Sequence, residues 1–515
     1  MLVKINGAAV HGIDAIPVMI EVSVDKGFGF TIVGLPDTAV KESYQRILSA
    51  VKYSGMDFPR RQIVVNMSPA DIKKEGSSYD LPLAIGILAA DEKITSDRID
   101  RYMIMGELSL DGSVLPIKGV LPMAIKARED GLEGIIVPKA NVMEAAIVNN
   151  LKVYGVDNIL EVTGFFNNTH DLRPTEIDTR EMFHRQINHF DYDFSEVKGQ
   201  ENVKRAFEVA CAGGHNILLV GSPGSGKSMM AKRLPSIMPP LTLQEALETT
   251  KIHSVAGKLE RGSMLMTQRP FRSPHHTISP VALVGGGANP MPGEISLAHN
   301  GILFLDEFPE FSRQVLEVMR QPLEDRHITI SRAKYTVDYP AGFMLVASMN
   351  PCPCGYYNHP TKKCICPPGA VQKYLNKISG PLLDRIDIQI EVAPVAFDEI
   401  SSDTPAESSA TIRERVIKAR EIQTQRFKGV ANVHCNAQMT SRQIREYARP
   451  DTKGLEKLRE AMTRLNMSAR AYDRILKVAR TIADLDGCPE VRDYHLQEAL
   501  SYRNLDRANW GTAYF

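Results

Sequence analysis

A glycine-rich loop in this chain has residue types and spacing that suit the binding of a phosphate group. Its residues fit the pattern G-x-x-x-x-G-K-[ST] and read Gly221-Ser222-Pro223-Gly224-Ser225-Gly226-Lys227-Ser228. An apolar run precedes the loop and a helical pattern follows it, so backbone N–H groups and a helix N-terminus would face the anion. Lys227 is expected to reach the β- and γ-phosphates, and Ser228 to bind Mg²⁺. The loop therefore predicts a site for a nucleoside triphosphate with Mg²⁺.

Two carboxylates follow an apolar strand further along the chain. The run at 301–307 reads Gly301-Ile302-Leu303-Phe304-Leu305-Asp306-Glu307. Asp306 is expected to complete the Mg²⁺ shell, and Glu307 to act as general base on the attacking water. A capped strand end followed by a helix is the alternative. With the phosphate loop upstream, the pair predicts that the bound triphosphate is hydrolysed.

Four of the seven cysteines form two close pairs, each of the form C-x-C and separated by nine residues: Cys352, Cys354, Cys364 and Cys366. Four thiolates in this arrangement can hold Zn²⁺ in tetrahedral geometry, which predicts a structural zinc site. The spacing within each pair is tighter than the commoner C-x₂-C. An iron–sulfur or redox role and free thiols therefore remain alternatives.

Composition sets the limits for these sites. A length of 515 residues allows about three domains. Lys and Arg number 61 and Asp and Glu number 61, so net charge indicates neither nucleic acid nor membrane as a partner. The sequence has no apolar run of the ~18 residues that a transmembrane helix needs, and its start lacks the layout of a signal peptide. We expect a cytoplasmic protein with reduced or metal-bound thiols.

Local patterns place these motifs on an α/β chain. Residues 1–165 form an α/β segment with a helix capped by Asp37 and strands at 62–67 and 134–137. Residues 166–195 are polar and predict a linker. The nucleotide-binding core spans residues 196–400. Residues 401–515 are helical after a flexible connection at 401–409, and their clearest helix begins near Ser468.

Three runs between the motifs resemble the magnesium-chelatase-like branch of AAA+ ATPases, and specifically the ComM/YifB family of bacteria. They read F-R-S-P-H-H-T-I-S at 271–279, L-V-G-G-G at 283–287 and P-G-E-I-S-L-A-H-N-G at 292–301. The resemblance covers essentially the whole chain. It implies a P-loop α/β domain with a C-terminal helical lid, assembled as a homo-hexameric ring.

The same resemblance assigns further residues to the site. Asn350 ends a run similar to the sensor-1 strand and would orient the water or the γ-phosphate. Arg385 lies in a run similar to the arginine-finger segment, and would stabilise charge on the γ-phosphoryl in a neighbouring subunit. Arg470 matches sensor 2 and would contact the γ-phosphate, although Arg474 stands nearby.

This branch of the AAA+ ATPases carries two insertions. One lies in helix 2 and covers roughly residues 269–297. The other is a hairpin before sensor 1, visible as strands at 327–331 and 335–337 around a basic tip. In related ring helicases such hairpins line the pore and touch the nucleic-acid backbone. Arg332 and Lys334 are therefore the candidates for contacts with DNA phosphates, and a solvated basic turn is the alternative.

The N-terminal segment resembles the proteolytic α+β domain of Lon-type proteases at residues 106–117 and 135–141. Ser78 stands at the place of the nucleophile. The position of the lysine that would accept its proton holds Met123, whose thioether cannot do so, while Lys118 and Lys126 fall at other phases. We expect an inactive protease fold, with residual peptidase activity as the alternative.

These patterns predict an ATP-driven hexameric motor acting on branched or single-stranded DNA. Its resemblance implies branch migration, as a helicase, in natural transformation or homologous recombination, with other recombination proteins as partners. One alternative is a magnesium-chelatase-type motor that remodels a metal-inserting partner. The Lon-like segment and the clustered cysteines argue against it. The other alternative is an ATP-dependent Lon-like protease, which Met123 disfavours.

Overall fold

The computed structural model of the chain describes residues 2–186, 190–259, 264–287, 290–332, 335–359, 361–395, 406–430, 433–465 and 468–503. Within these ranges no helix is long and apolar enough to cross a membrane.

The N-terminal region (residues 2–186) is built on a mixed seven-stranded sheet in the order β3-β4-β2-β1-β5-β8-β9. The elements are β1 (Leu2–His11), β2 (Asp14–Asp25), β3 (Gly29–Val33), α1 (Thr38–Tyr53), β4 (Gln62–Ser68), α2 (Asp80–Ala90), β5 (Tyr102–Ile104), β6 (Glu107–Leu108), β7 (Val114–Leu115), α3 (Val120–Glu129), β8 (Gly134–Pro138), α4 (Val142–Ala145), β9 (Lys152–Val156), α5 (Ile159–Phe166) and α6 (Thr179–Gln186). β1 and β2 pair antiparallel over ten residues each. The apolar helix α2 is buried along its whole length against this sheet.

The local predictions for this region are confirmed. The Asp37 side chain accepts a hydrogen bond of 2.8 Å from the Val40 amide at the start of α1. The predicted strands correspond to β4 and β8. Capping and strand alternation are properties of a few adjacent residues, which explains why the sequence alone revealed them.

The predicted polar linker at 166–195 is wrong in its first part. Phe166 and Phe183 are buried in the N-terminal core, and Thr175 forms a bridge with Val153. Thr179 begins α6, and its hydroxyl donates a 3.0 Å hydrogen bond to the carbonyl of Ile147. Few apolar residues suffice to anchor this segment, because each fills a place on an existing core.

The nucleotide core (residues 190–395) has a five-stranded sheet in the order β11-β14-β17-β10-β18, and every neighbouring pair is parallel. Its elements are α7 (Glu201–Gly213), β10 (Ile217–Gly221), α8 (Lys227–Ala231), α9 (Leu243–Ala256), β11 (Phe271–Arg272), α10 (Pro280–Val284), β12 (Gly285–Gly286), β13 (Met291–Pro292), α11 (Glu294–Leu297), β14 (Ile302–Leu305), α12 (Arg313–Val318), α13 (Arg320–Asp325), β15 (His327–Arg332), β16 (Tyr335–Pro340), β17 (Met344–Met349), α14 (Ala370–Leu375), α15 (Gly380–Leu383) and β18 (Ile388–Val392). β10, β14 and β17 are buried at every residue, as expected for parallel strands covered on both faces.

The two expected insertions are both present, one with different bounds. The predicted insertion at 269–297 begins too early, because β11 pairs with β14 as the edge strand of the main sheet. The inserted hairpin β12–β13 follows it, between α10 and α11. The second hairpin is confirmed: β15 and β16 pair from His327↔Pro340 to Arg332↔Tyr335. A two-residue edge strand leaves too little periodicity to be recognised from sequence.

The C-terminal helical region (residues 406–503) comprises α16 (Ser409–Arg426), α17 (Ser441–Tyr447), α18 (Thr452–Leu465), α19 (Ala469–Leu485) and α20 (Asp493–Ser501). The prediction of a helix beginning near Ser468 is confirmed, since Ser468 caps α19 through the Ala471 amide. Of the predicted flexible connection at 401–409, residues 401–405 lie outside the described ranges. Ser409 is buried and bonds with Ser236 and with the amide of Phe194, so the end of that segment is fixed.

The N-terminal region packs against the nucleotide core around α9. Leu241, Ala246 and Leu265 belong to the N-terminal hydrophobic core although they flank or lie in α9. At the same contact the buried Glu144 carboxylate accepts hydrogen bonds from the amide of Leu121 and from the hydroxyl of Ser254. The contact therefore combines apolar burial with a satisfied polar group, which favours one fixed orientation.

Asp387 joins the C-terminal helical region to the nucleotide core. Its buried carboxylate contacts His215 at 3.3 Å, accepts from the Asn216 amide at 3.2 Å and forms an ion pair with Arg474 of α19. Burial alone raises the pKa of Asp387, but Arg474 and His215 outweigh it and hold that pKa well below its usual range. The carboxylate is consequently charged at neutral pH and stabilises the fold in that form.

We expect Asp387→Asn to destabilise the chain by about 3 kcal/mol at neutral pH, since it leaves Arg474 without its buried partner. Because the pKa of Asp387 is depressed in the folded chain, its contribution is complete above the unfolded value of about 3.9 and disappears on further acidification. Denaturant unfolding followed by circular dichroism should show the difference between wild type and variant shrinking below about pH 4. Asp384→Asn is the control, and an equal effect of both changes would contradict the assignment.

Candidate active site

The carboxyl ends of β10, β14 and β17 lie side by side in the sheet, and the loops that leave them surround one cavity. The cavity measures about 370 Å³ and is lined by Pro223, Gly224, Ser225, Gly226, Lys227, Ser228, Met229, Asp306, Glu307, Ser348, Met349 and Asn350. Crevices at this edge of a parallel sheet are the usual place for ligands in α/β folds. The structure thus brings the phosphate loop, the two carboxylates and Asn350 to one site.

The nucleotide loop (residues 221–228) wraps between β10 and α8. Gly224 and Gly226 have φ angles of +81° and +88°, which residues with a Cβ rarely adopt. The Lys227 ammonium is buried and donates to the carbonyls of Gly221 and Ser222 at 2.7 and 3.0 Å. It also donates to Oδ1 of Asn350 at 3.3 Å. Burial lowers the pKa of Lys227, and nearby Asp306 opposes that shift.

Two oxygen ligands suited to Mg²⁺ face each other in the cavity. The Ser228 hydroxyl donates to Oδ2 of Asp306 at 2.6 Å, so both groups lie close enough to share one cation. Mg²⁺ prefers hydroxyl, carboxylate and phosphate oxygens, and the residues present fit it. The Ser348 hydroxyl donates to the other oxygen of Asp306 and fixes its orientation. Ser348 was not among the predicted site residues, although it lies on β17, the strand next to β14, at the same sheet edge as Asp306.

Glu307 stands at the rim of the cavity in a strained backbone conformation. Its φ angle is +52°, in the left-handed region that costs a non-glycine residue of the order of 1 kcal/mol. Its side chain is 58% exposed, and Oε2 lies 3.3 Å from Nδ1 of His276. Among the described residues His276 contacts one of the two carboxylate oxygens.

His276 is a second residue that sequence analysis missed. It lies in the run 271–279, which served only to identify the family resemblance. His276 packs on His275 with ring centroids 4.1 Å apart and meets Phe311 edge-on at 6.4 Å. Residues that follow β11 emerge at the same sheet edge as those that follow β14, but β11 is too short to be recognised from sequence, so only the structure places His276 here.

Arg385 does not line the cavity of its own chain. Its guanidinium is buried, pairs with Oε1 of Glu324 at 2.5 Å and donates to the carbonyl of Pro381 at 2.5 Å. Its Nε has no hydrogen-bond partner within the described part of the chain. The structure therefore leaves Arg385 away from the phosphates that its own nucleotide loop would bind.

The two candidate sensor arginines of α19 have different surroundings. Arg474 is engaged by Asp387 in the ion pair described above. Arg470, at the start of the same helix, is exposed. Neither side chain lines the cavity. Arg470 is thus the one of the two whose guanidinium is free of that buried ion pair.

The four clustered cysteines meet in space. Their Sγ atoms all lie within 4.8 Å of one another, with Cys352 3.3 Å from Cys354 and 3.8 Å from Cys364. Four sulfurs around Zn²⁺ at ~2.3 Å would be about 3.8 Å apart, so the geometry fits a tetrahedral ion. Burial raises the pKa of the Cys352 thiol to about 12. At Cys354 burial acts in the same direction, but N–H groups of Ile365 and Tyr356 lower the pKa to about 6.

The remaining predicted residues belong to the β15–β16 hairpin segment and to the N-terminal region. Lys334 lies outside the described residues, and of Arg332 the structure describes the backbone alone. In the N-terminal region Ser78 is half-buried, and Met123 is buried in α3. Lys126 is paired with Asp130 at 2.8 Å on the same helix.

Three family descriptions match successive parts of the chain. The family described as magnesium chelatase, subunit ChlI, matches residues 193–400, and its C-terminal part matches residues 406–503. A third family, described as subunit ChlI of Mg-chelatase, matches residues 20–141. The N-terminal segment is therefore not evidence against a chelatase motor, contrary to the expectation from sequence, because a family described as a chelatase subunit has a similar segment.

Full-length relatives are similar to the chain from end to end. It is 43% identical over 509 residues to the uncharacterized protein YifB of Escherichia coli, covering 98% of this chain and 97% of that protein. It is 42% identical over 509 residues to the competence protein ComM of Haemophilus influenzae, covering 98% of each. Lon protease 2 of Bacillus subtilis is 30% identical over 179 residues, or 31% of this chain. The chain therefore belongs to the ComM/YifB family of magnesium-chelatase-like AAA+ proteins.

Proposed function

We propose that this chain is an ATP-hydrolysing motor that assembles into a hexameric ring and acts on DNA. The observation that carries the ATPase is the convergence of Lys227, the Ser228–Asp306 pair, Glu307 and Asn350 on one cavity. The chain belongs to a family of AAA+ proteins, in which a site of this kind is expected to power a motor. Free cysteines throughout the described structure fit a reducing cytoplasm.

Each group then has a defined task in hydrolysis. Backbone amides of the nucleotide loop and the Lys227 ammonium hold the phosphates. Ser228 and Asp306 would hold Mg²⁺, which when bound neutralises charge on the β- and γ-phosphates. Glu307 accepts a proton from the attacking water, and Asn350 orients that water or the γ-phosphate. His276 holds the Glu307 side chain at the rim, within reach of the cavity.

The position of Arg385 supports the proposal of a ring. Stabilising the γ-phosphoryl in the transition state requires an added positive charge near it, and Arg385 does not line its own cavity. A neighbouring subunit would supply this group across the interface. Release from Glu324 would accompany that approach, since the ion pair holds the guanidinium in the isolated chain. Arg470 does not line the cavity either, and α19 would have to bring it toward the γ-phosphate when the nucleotide binds.

DNA as the substrate rests on relatedness and on the β15–β16 hairpin. The similar protein of Haemophilus influenzae bears the name competence protein, which points to DNA uptake and recombination. We propose branch migration, with helicase activity, in homologous recombination or natural transformation, assisted by other recombination proteins. Arg332 and Lys334 at the hairpin tip would contact phosphates without reading sequence.

A magnesium-chelatase-type motor is the second candidate, because three matching families are described by a chelatase subunit. Such a motor would use the same ATP site to remodel a metal-inserting partner. The partner that stimulates hydrolysis distinguishes the two candidates. A Lon-like protease has less support, because buried Met123 offers no base to Ser78.

We also propose that the four-cysteine cluster holds a structural Zn²⁺. All four sulfurs converge at distances that fit a single tetrahedral ion. A closed set of four thiolates leaves no open position for substrate, which indicates a structural rather than a catalytic ion.

Replacing Glu307 by Gln should preserve ATP binding and lower kcat by about 10²–10⁴-fold, because an amide cannot accept the proton of water. Steady-state phosphate release and equilibrium binding of a fluorescent ATP analogue measure the two effects. Glu310→Gln is the matched control, since Glu310 lies in the same segment and pairs with Lys377 at 3.1 Å. Near-normal turnover in Glu307→Gln would remove Glu307 from the role of base.

Mixing two inactive variants tests whether Arg385 acts between subunits. Arg385→Ala should lower kcat by about 10³-fold, and Lys227→Ala should abolish binding at its own loop. In mixed assemblies, an intact loop of the first variant meets an intact Arg385 of the second, so activity should reappear. Arg320→Ala is the control for loss of an arginine elsewhere. Absence of recovery, in mixtures shown by native mass spectrometry to be mixed hexamers, would contradict action in trans.

DNA should accelerate ATP hydrolysis, and the Lys334→Ala and Arg332→Ala changes should each weaken that acceleration. Rates are compared without DNA and with single strands, duplex and a four-way junction, at low and moderate salt. Phosphate contacts predict that the apparent affinity for DNA falls as salt rises. Lys41→Ala, an exposed lysine on α1, is the control. A rate unaffected by every DNA, but raised by a chelatase partner, would favour the second candidate.

A further inference from the structure

The cysteine knob (residues 352–366) lies against the nucleotide loop. Gly355 is buried and approaches the Pro223 ring so closely that a Cβ at Gly355 would lie 2.5 Å from Cδ and 2.7 Å from Cγ of that proline. Its φ angle of +84° likewise favours glycine. Gly355 follows Cys354 directly, and its amide donates to the carbonyl of Cys352 at 2.9 Å. The residue that contacts the loop therefore ends a turn, residues 352–355, that contains two of the four cysteines.

A second connection links the same cysteines to the loop from its other side. Asn350 stands two residues before Cys352, and its Oδ1 accepts a hydrogen bond from Lys227 at 3.3 Å. Cys352 is completely buried, so this part of the knob is fixed in the structure. The knob thus contacts the nucleotide loop near its beginning through Pro223, and Asn350, which directly precedes the knob segment, contacts the loop near its end.

The loop itself has little other support at its tip. Gly224 has open space around the position of a Cβ, and Pro223 keeps an exposed face. A glycine- and serine-rich loop loses much conformational entropy when it is ordered around a ligand. A contact that orders the loop beforehand reduces this cost and so tightens binding.

We propose that the metal-bound cysteine knob holds the nucleotide loop in its binding conformation, with Gly355 and Pro223 as positioning residues. The proposal rests on the ATP and zinc binding proposed above. It assigns the metal a task beyond local folding, because loss of the ion would release the turn that contacts Pro223. Metal content and nucleotide affinity would consequently vary together, although no cysteine lines the nucleotide cavity.

The test compares two glycine-to-alanine changes in the full-length chain. Gly355→Ala places a methyl group against Pro223 and should raise the dissociation constant for a fluorescent ATP analogue by about tenfold. Gly369→Ala is the matched control, because Gly369 has a similar φ angle of +79° but open space around it. The control should change the dissociation constant by less than about twofold. Equal effects of the two changes would overturn the proposal.

Removing the proline ring separates contact with the loop from general damage to the knob. In a Pro223→Ala background, adding Gly355→Ala should weaken nucleotide binding by no more than about twofold, because the clashing ring atoms are gone. An undiminished effect in that background would show that Gly355 does not act through Pro223, and would overturn the proposal.

Metal removal supplies an independent readout. Elemental analysis should find one zinc per wild-type chain, and removal with a chelator should reduce hydrogen-exchange protection of residues 221–228 and weaken nucleotide binding. Unchanged protection and affinity after complete zinc loss would overturn the positioning role alone. A wild-type chain that binds no nucleotide, or no zinc, would instead refute the corresponding function proposed above.

Discussion

The nucleotide site depends on three buried parallel strands, β10, β14 and β17, that end side by side. Their ladder hydrogen bonds fix the register, and apolar packing on both faces fixes the strands within the core. As a result Ser228 and Asp306, 78 positions apart in sequence, meet at 2.6 Å. Lys227 and Asn350, 123 positions apart, meet at 3.3 Å. No local feature of the chain could bring these groups to hydrogen-bonding distance.

Polar neighbours surround each charged side chain of the site. A buried ammonium is unfavourable unless polar groups compensate it, and two carbonyls and an amide oxygen do so for Lys227. Those oxygens stand where phosphate oxygens would compete for the same cation. Ser348 orients Asp306 and His276 meets Glu307, so both carboxylates have neighbours that limit their movement. The site is preorganised for a phosphate anion with its magnesium ion.

Other parts of the fold converge on this site from outside. The cysteine knob approaches the nucleotide loop through Gly355, and the N-terminal region packs on α9, which lies between the nucleotide loop and β11 along the chain. Arg385 is held by Glu324, outside the cavity. Neither Arg385 nor Arg470 lines the cavity of its own chain, so the cationic groups that face this cavity come from the nucleotide loop.

The sequence by itself predicted the chemistry of the nucleotide loop and the carboxylate pair, and it identified the paired cysteines as candidate metal ligands, because these predictions depend on residue type and short spacing. It also determined the helix cap at Asp37 and the β15–β16 hairpin, which are local structures. Only the tertiary structure decided that β11 is a sheet strand, that Phe166 and Phe183 belong to the N-terminal core, and that His276 and Ser348 lie beside the two carboxylates. Those features arise from contacts between distant segments, whose energies depend on the folded arrangement and leave no periodic signal along the chain.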